Sequence, residues 1–182
     1  MAREPIEMTE VDEGYATDGP NRNVIRQPIA APAAAVFGCL ADGPAWKEWL
    51  GIEVEWTSPE PHGVGATRTA RTRGQVIDET FLAWEPGRRI NFRFDRSTLP
   101  VSAFAEDYVV DPTGNTSSEL IWSYAFEWRG PLASLSSRAF AAVFAANGRR
   151  AVKKLAALVE VDPGRFLAGQ SGGERARSVS DR

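Results

Sequence analysis

Between positions 51 and 128 the chain repeats one pattern, a short run of apolar and β-branched residues followed by a turn signal. The runs cover residues 51–57, 66–72, 75–84, 89–96, 103–111 and 118–128. Pro61-His62-Gly63, Arg73-Gly74, Glu85-Pro86-Gly87 and Pro112-Thr113-Gly114-Asn115 break them. This spacing predicts a meander of antiparallel strands, and such a sheet must cover one apolar face. The cover lies downstream. After Gly130-Pro131, Phe140, Phe144, Ala151, Leu155 and Leu158 recur at helical spacing, with Arg149 and Lys153 on the other side. Upstream, Asn23 to Ile29 reads as a first strand, and Pro32 to Leu40 and Pro44 to Leu50 as two short helices. The order predicts an α+β fold, an antiparallel sheet of about seven strands with a long C-terminal helix against one face.

The ends of the chain do not share this pattern. Residues 1–21 are acidic and aperiodic, with Glu4, Glu7, Glu10, Asp12, Glu13 and Asp18 against Arg3, and are expected to form a flexible leader. Asp162-Pro163-Gly164 is a stop signal, and residues 162–182, rich in Gly, Ser and Arg, are expected to be a flexible tail. The domain between them, residues 22–161, is large enough to bury about two thirds of its unfolded surface.

Composition narrows the function classes. The longest uncharged run, Gln27 to Ala41, is shorter than the roughly 20 apolar residues of a membrane span, and it contains prolines. No basic start leads into an apolar stretch, so a cytoplasmic protein is expected. A single cysteine, Cys39, and a single histidine, His62, exclude an intramolecular disulfide and a zinc-type Cys/His cluster. Neither metal nor cofactor is expected. A net charge of -3 gives no sign of the basic face that nucleic-acid binding uses.

Strand registers sharpen the picture. With Pro86-Gly87 as a turn centre, Glu85 opposes Arg88, Phe81 opposes Phe92 and Glu79 opposes Phe94, while Asp78 opposes Asp95 and Thr80 opposes Arg93. The first set is largely apolar and belongs inside. Glu79 then stands on the inner face, where a lone carboxylate costs several kcal/mol. With Arg73-Gly74 as the preceding turn, Arg68 opposes Glu79, which supplies the partner. In the run 118–128, Leu120, Trp122, Tyr124, Phe126 and Trp128 alternate with smaller or polar residues and form the inner side.

Trp46 and Trp49 in the second short helix, the stretch Gly63-Val64-Gly65-Ala66-Thr67-Arg68, the run Glu79 to Trp84 followed by Glu85-Pro86-Gly87-Arg88-Arg89, and the final helix together resemble the START-like or polyketide cyclase (SRPBCC) superfamily. The resemblance spans about residues 22–161. It implies a helix-grip fold, whose sheet wraps the long helix around a hydrophobic cavity. That superfamily includes lipid-transfer proteins, plant hormone receptors, aromatase/cyclases and co-chaperone activators. In the hormone receptors a Thr-Arg segment and a Thr-Glu-Arg-Leu segment face the pocket; Thr67-Arg68 and Glu79-Thr80-Phe81-Leu82 are similar. The chain departs from them at Arg73-Gly74, where they carry a longer gating loop.

The expected function is therefore binding of a small hydrophobic or aromatic molecule, lipid- or polyketide-like, between sheet and helix. Arg68 and Glu79 form the polar anchor, and the expected ligand contacts are Phe81, Phe92, Phe94, Trp122, Tyr124, Phe126, Phe140, Phe144 and Asn147. Each aromatic also reads as plain core, and Asn147 reads equally as a partner for a backbone carbonyl. A second reading is a cyclase or dehydratase in which Glu79, Tyr124 or His62 moves protons. A third is a protein-interaction module using the sheet edge or the opening near Trp46 and Trp49. Gly169-x-Ser171-x-Gly173 matches a hydrolase nucleophile pattern but has no strand before it and no histidine after it. Asn115-Thr116-Ser117 matches a glycosylation sequon and reads as a turn.

Overall fold

The predicted order of a strand, two short helices, six strands and a long helix is present in the computed structural model, which describes residues 4–72, 74–130 and 133–167, with one more strand and two more short helices toward the ends. Arg73, Pro131 and the segment holding Gly169, Ser171 and Gly173 lie outside the described residues. The elements are β1 (Ile6–Glu7), α1 (Tyr15–Asp18), β2 (Asn23–Ile29), α2 (Ala33–Ala41), α3 (Ala45–Trp49), β3 (Glu53–Trp56) and β4 (Thr67–Thr72). They continue with β5 (Gln75–Glu85), β6 (Arg89–Ser97), β7 (Val101–Gly114), β8 (Ser117–Trp128), α4 (Ala133–Val161) and α5 (Pro163–Leu167). The sheet order is β2-β8-β7-β6-β5-β4-β3, and β1 pairs with β6. Every pairing is antiparallel. Among the described residues, no helix is long and apolar enough to cross a membrane.

Period-two alternation decides which side of the sheet is inside. Leu120, Trp122, Tyr124 and Phe126 on β8 are almost wholly buried, as are Phe104 and Tyr108 on β7 and Phe92 and Phe94 on β6. Helix α4 crosses this face. Its closest approach falls at Gly148, where an added Cβ would stand 2.8 Å from both Ile25 and Trp122. A side chain there would force the helix off the sheet.

Two registers differ from the sequence reading, and both differences are bulges. Glu85 faces Arg89 instead of Arg88, because the turn holds three residues and Gly87 takes a φ of 77°. Leu82 is then the extra residue on β5, which returns Phe81 opposite Phe92 and Glu79 opposite Phe94. Asp95 is the extra residue on β6, so Asp78 faces Arg96 at 3.7 Å rather than Asp95. Like charges directly across a ladder repel. The bulge replaces that clash with an ion pair and frees Asp95 to accept bonds from Thr80 Oγ1 (2.5 Å) and Arg93 Nε (2.9 Å).

The acidic leader is also placed differently from the expectation of a flexible segment. It lies across the outer face of the sheet, where β6 presents a column of arginines. Glu7 pairs with Arg96 at 3.2 Å, Glu10 with Arg93 at 2.5 Å and Glu13 with Arg89 at 4.0 Å. Ala16 of the leader and Ala125 of β8 are fully buried. Pairing of β1 with β6, backbone bonds such as Met8 N to Asp95 O at 2.8 Å and the complementary charges together hold the leader; the arginines are spaced so that their side chains leave one face. The expected tail likewise begins in structure. α5 returns to α2 with Phe166 buried, and Arg165 Nη1 donates to Glu48 Oε2 at 3.0 Å, tying α5 to α3.

Candidate functional site

Between α4, α3 and the inner face of the sheet lies a cavity of about 460 Å³, within the roughly 300–1,000 Å³ typical of small-molecule sites. Its wall is aromatic: Trp46 and Trp49 from α3, Phe92 and Phe94 from β6, Trp122 from β8, and Phe140 and Phe144 from α4. Two acidic side chains interrupt it, Glu79 and Glu106.

Glu79 owes its position to the registers. It faces Arg68 on β4 and Phe94 on β6. Arg68 Nε donates to Glu79 Oε2 at 2.5 Å, and both residues are buried. The guanidinium is stacked in an aromatic cage, with its central carbon 4.1 Å from the Trp46 ring centroid, 4.9 Å from Phe81 and 4.7 Å from Phe92. Desolvated cation–π contacts of this kind contribute about 2 kcal/mol. Burial pushes the Glu79 carboxyl upward, and Arg68 pulls it back without cancelling the shift.

Glu106 sits in one row across the sheet, running Phe81, Phe92, Glu106, Tyr124, Asn23. Tyr108 Oη donates to Glu106 Oε2 at 2.6 Å. Burial drives the Glu106 carboxyl up to about 8; Tyr108 opposes the shift, Glu79 adds to it and Arg68 opposes it. Burial thus favours the protonated form of Glu106, which can donate a hydrogen bond. Sequence reading passed over it because residues 103–111 were not placed in register. The signal was present: parity with Phe104 and Tyr108 directs Glu106 inward and Asp107 outward, where Arg89 Nε binds it at 2.7 Å.

The donors around this end of the site outnumber the acceptors. Arg68 Nη1 and Nη2, Trp49 Nε1 and Trp122 Nε1 are buried without a hydrogen-bond acceptor among the described residues. The Trp122 N–H still stands close enough to Glu106 to favour its ionised form. Buried unsatisfied donors are costly in a fold, which makes a cluster of them beside a cavity informative.

The other predicted residues divide clearly. Phe92, Phe94, Trp122, Phe140, Phe144 and Asn147 line the cavity with Glu79. Arg68, Phe81, Tyr124 and Phe126 are outside that lining: Arg68 and Phe81 stand behind it, Phe126 packs on Phe104 and Phe140, and Tyr124 Oη accepts a bond from Asn23 Nδ2 at 2.8 Å. His62 lies in the loop after β3, stacked on Trp56 at 3.7 Å, apart from the lining. Trp46 and Trp49, expected at an opening for a partner, are buried, and Trp46 Nε1 donates to Leu40 O at 2.8 Å. Among the described residues, no group of three His, Cys, Asp or Glu side chains is arranged to hold a metal ion.

A curved antiparallel sheet gripping a long helix around an aromatic cavity defines a START-like, helix-grip protein. The chain belongs to the polyketide cyclase / dehydrase and lipid transport family, whose family model matches residues 24–160. Uncharacterized proteins of Mycobacterium tuberculosis and Mycobacterium bovis are 44% identical to it over 109 residues, which is 57% of this chain and 64% of theirs. The match thus spans less than two thirds of those relatives' length. Among solved structures, the Zhui aromatase/cyclase from a Streptomyces species superposes with a TM-score of 0.67 at 16% identity, covering 76% of this chain and 93% of that one. A START superfamily protein from Mycobacterium smegmatis superposes with a TM-score of 0.64 at 12% identity, covering 76% and 98%. At such identities the likeness is one of fold.

Proposed function

We propose that the chain encloses a small, mainly apolar molecule, lipid- or polyketide-like, in the cavity between sheet and α4. A polar group of that molecule is directed to the end formed by Glu79 and Glu106, behind which Arg68 holds Glu79. The observation that carries this reading is the coincidence of an aromatic cavity with a few polar groups placed on its wall, the Glu79 and Glu106 carboxyls and the unpaired Trp49 indole N–H. Apolar walls supply affinity, and a few placed polar groups fix orientation. The test is native mass spectrometry of the purified protein followed by organic extraction. The expected result is an added mass that extraction releases as an apolar compound bearing a carbonyl or hydroxyl group. A strongly polar compound on the released side would contradict the reading.

A second reading, a cyclase or dehydratase, is favoured by Glu106. A buried carboxyl on the wall of a cavity, with its proton affinity raised by burial, is suited to protonate a departing hydroxyl. In a dehydration Glu106 would give that proton to the leaving oxygen, Glu79 would take the proton from the adjacent carbon, and water would leave as the double bond forms. Arg68 would then act as a positioning residue through Glu79.

A further inference from the structure

The cavity wall divides by exposure into a floor and a mouth. Glu79, Glu106, Phe92 and Trp122 are buried; Gln75, Val143, Asn147, Arg150 and Lys154 are exposed. Both carboxyls of the wall are therefore at the floor, and both cations are at the mouth. Arg150 and Lys154 are one helical turn apart on α4 and share a face. They belong to a dense basic stretch, Arg149, Arg150, Lys153 and Lys154, in a chain whose net charge is -3. The other residues around the mouth, Leu50, Ile52, Thr72 and Gln75, carry no charge to neutralise them.

Several arginines elsewhere in the chain are paired. Arg89, Arg93, Arg96 and Arg165 each meet a carboxylate within 4 Å. Among the described residues, neither Arg150 nor Lys154 has such a partner, and Arg150 Nη1 makes a long bond to Asn147 Oδ1 at 3.4 Å.

We propose that the occupant is an amphiphile with an anionic end group, a carboxylate, sulfonate or phosphate, held at the mouth by Arg150 and Lys154. Its ring or chain fills the cavity, and its uncharged polar group meets the floor. This inference rests on the reading of the cavity as a ligand site and adds the charge and direction of the ligand to it. The polarity of the wall sets that direction: an anionic end at the floor would face Glu79 and Glu106, and at the mouth it faces two cations.

The test uses a matched pair of fluorescent probes, 8-anilinonaphthalene-1-sulfonate and its uncharged parent N-phenyl-1-naphthylamine, titrated into the full chain. At low salt the sulfonate is expected to bind about tenfold more tightly, the contribution of two partly exposed charge contacts. Salt should remove that advantage. The double variant Arg150→Gln/Lys154→Gln should remove it too, so that the sulfonate then binds no more tightly than the neutral probe. A sulfonate advantage that is absent in the wild type, or that survives in the double variant, overturns the proposal. Ala70→Phe, which fills the wall, separates this from the underlying reading. If it weakens both probes while charge has no effect, the cavity stands as a ligand site and the anionic-end proposal falls. If neither probe binds the wild type, or Ala70→Phe weakens neither, the ligand-site reading falls and takes the proposal with it.

Discussion

Glu79→Gln is expected to destabilise the fold by about 3–5 kcal/mol in chemical denaturation, the usual consequence of leaving one member of a buried ion pair without its partner. The guanidinium of Arg68 cannot shed its proton, its Nη atoms already lack acceptors, and almost none of it is exposed to solvent. Arg68→Met should cost less. The Glu79 carboxyl it leaves behind is already pushed upward by burial and can take a proton, which removes the buried charge. The double variant Arg68→Met/Glu79→Gln should recover most of the loss, since neither charge remains. If Glu79→Gln costs less than about 1 kcal/mol, the aromatic cage of Trp46, Phe81 and Phe92 is enough to hold the cation without a carboxylate.

The second large effect is a dependence of stability on pH that traces to Glu106. Its carboxyl is raised to about 8 in the folded chain against 4.5 for an unperturbed glutamate, so the native state binds the extra proton between these values. Where the folded state holds more protons, stability falls as pH rises. The contribution is complete below pH 4.5, declines above it and is lost once the pH passes about 8. The size is on the order of 5 kcal/mol across that window. Glu79 is shifted in the same direction, so the wild type alone does not separate the two groups. Glu106→Gln does, because glutamine matches the shape of the protonated acid and still accepts the Tyr108 hydroxyl. Denaturation curves from pH 5 to pH 9 should show the variant close to wild type at the acid end and more stable at the alkaline end. A variant that is equally destabilised at every pH would mean that Glu106 acts through packing alone.

Much of this site was legible in the residues. The inward Arg68–Glu79 pair follows from hairpin parity, and Phe81 opposite Phe92 follows from the next turn. The second survived only because two departures from simple pairing compensate: the extra residue in the Pro86–Arg88 turn is cancelled by the bulge at Leu82. Parity alone does not reveal bulges, and the pairing of Asp78 with Arg96 depended on one. The leader was opaque for another reason. Its acids carry no periodicity, and their partners on β6 lie more than 70 residues away, so local pattern gave no hint of docking. Glu106 was hidden by its neighbour. Two consecutive acids, Glu106 and Asp107, read as a polar stretch until the aromatic residues on either side fix which of them turns inward.

The most direct measurement of the central claim, that the cavity between sheet and α4 receives a small apolar molecule, follows the indole N–H resonances by NMR as N-phenyl-1-naphthylamine is added. Trp49 and Trp122 place their indoles on the cavity wall, whereas Trp84 packs outside it against Phe37 and Phe81. The account predicts that the Trp49 and Trp122 resonances shift in a saturable manner while that of Trp84 stays in place. Saturable binding that moves Trp84 and leaves Trp49 and Trp122 unchanged would place the ligand elsewhere on the molecule and contradict the account.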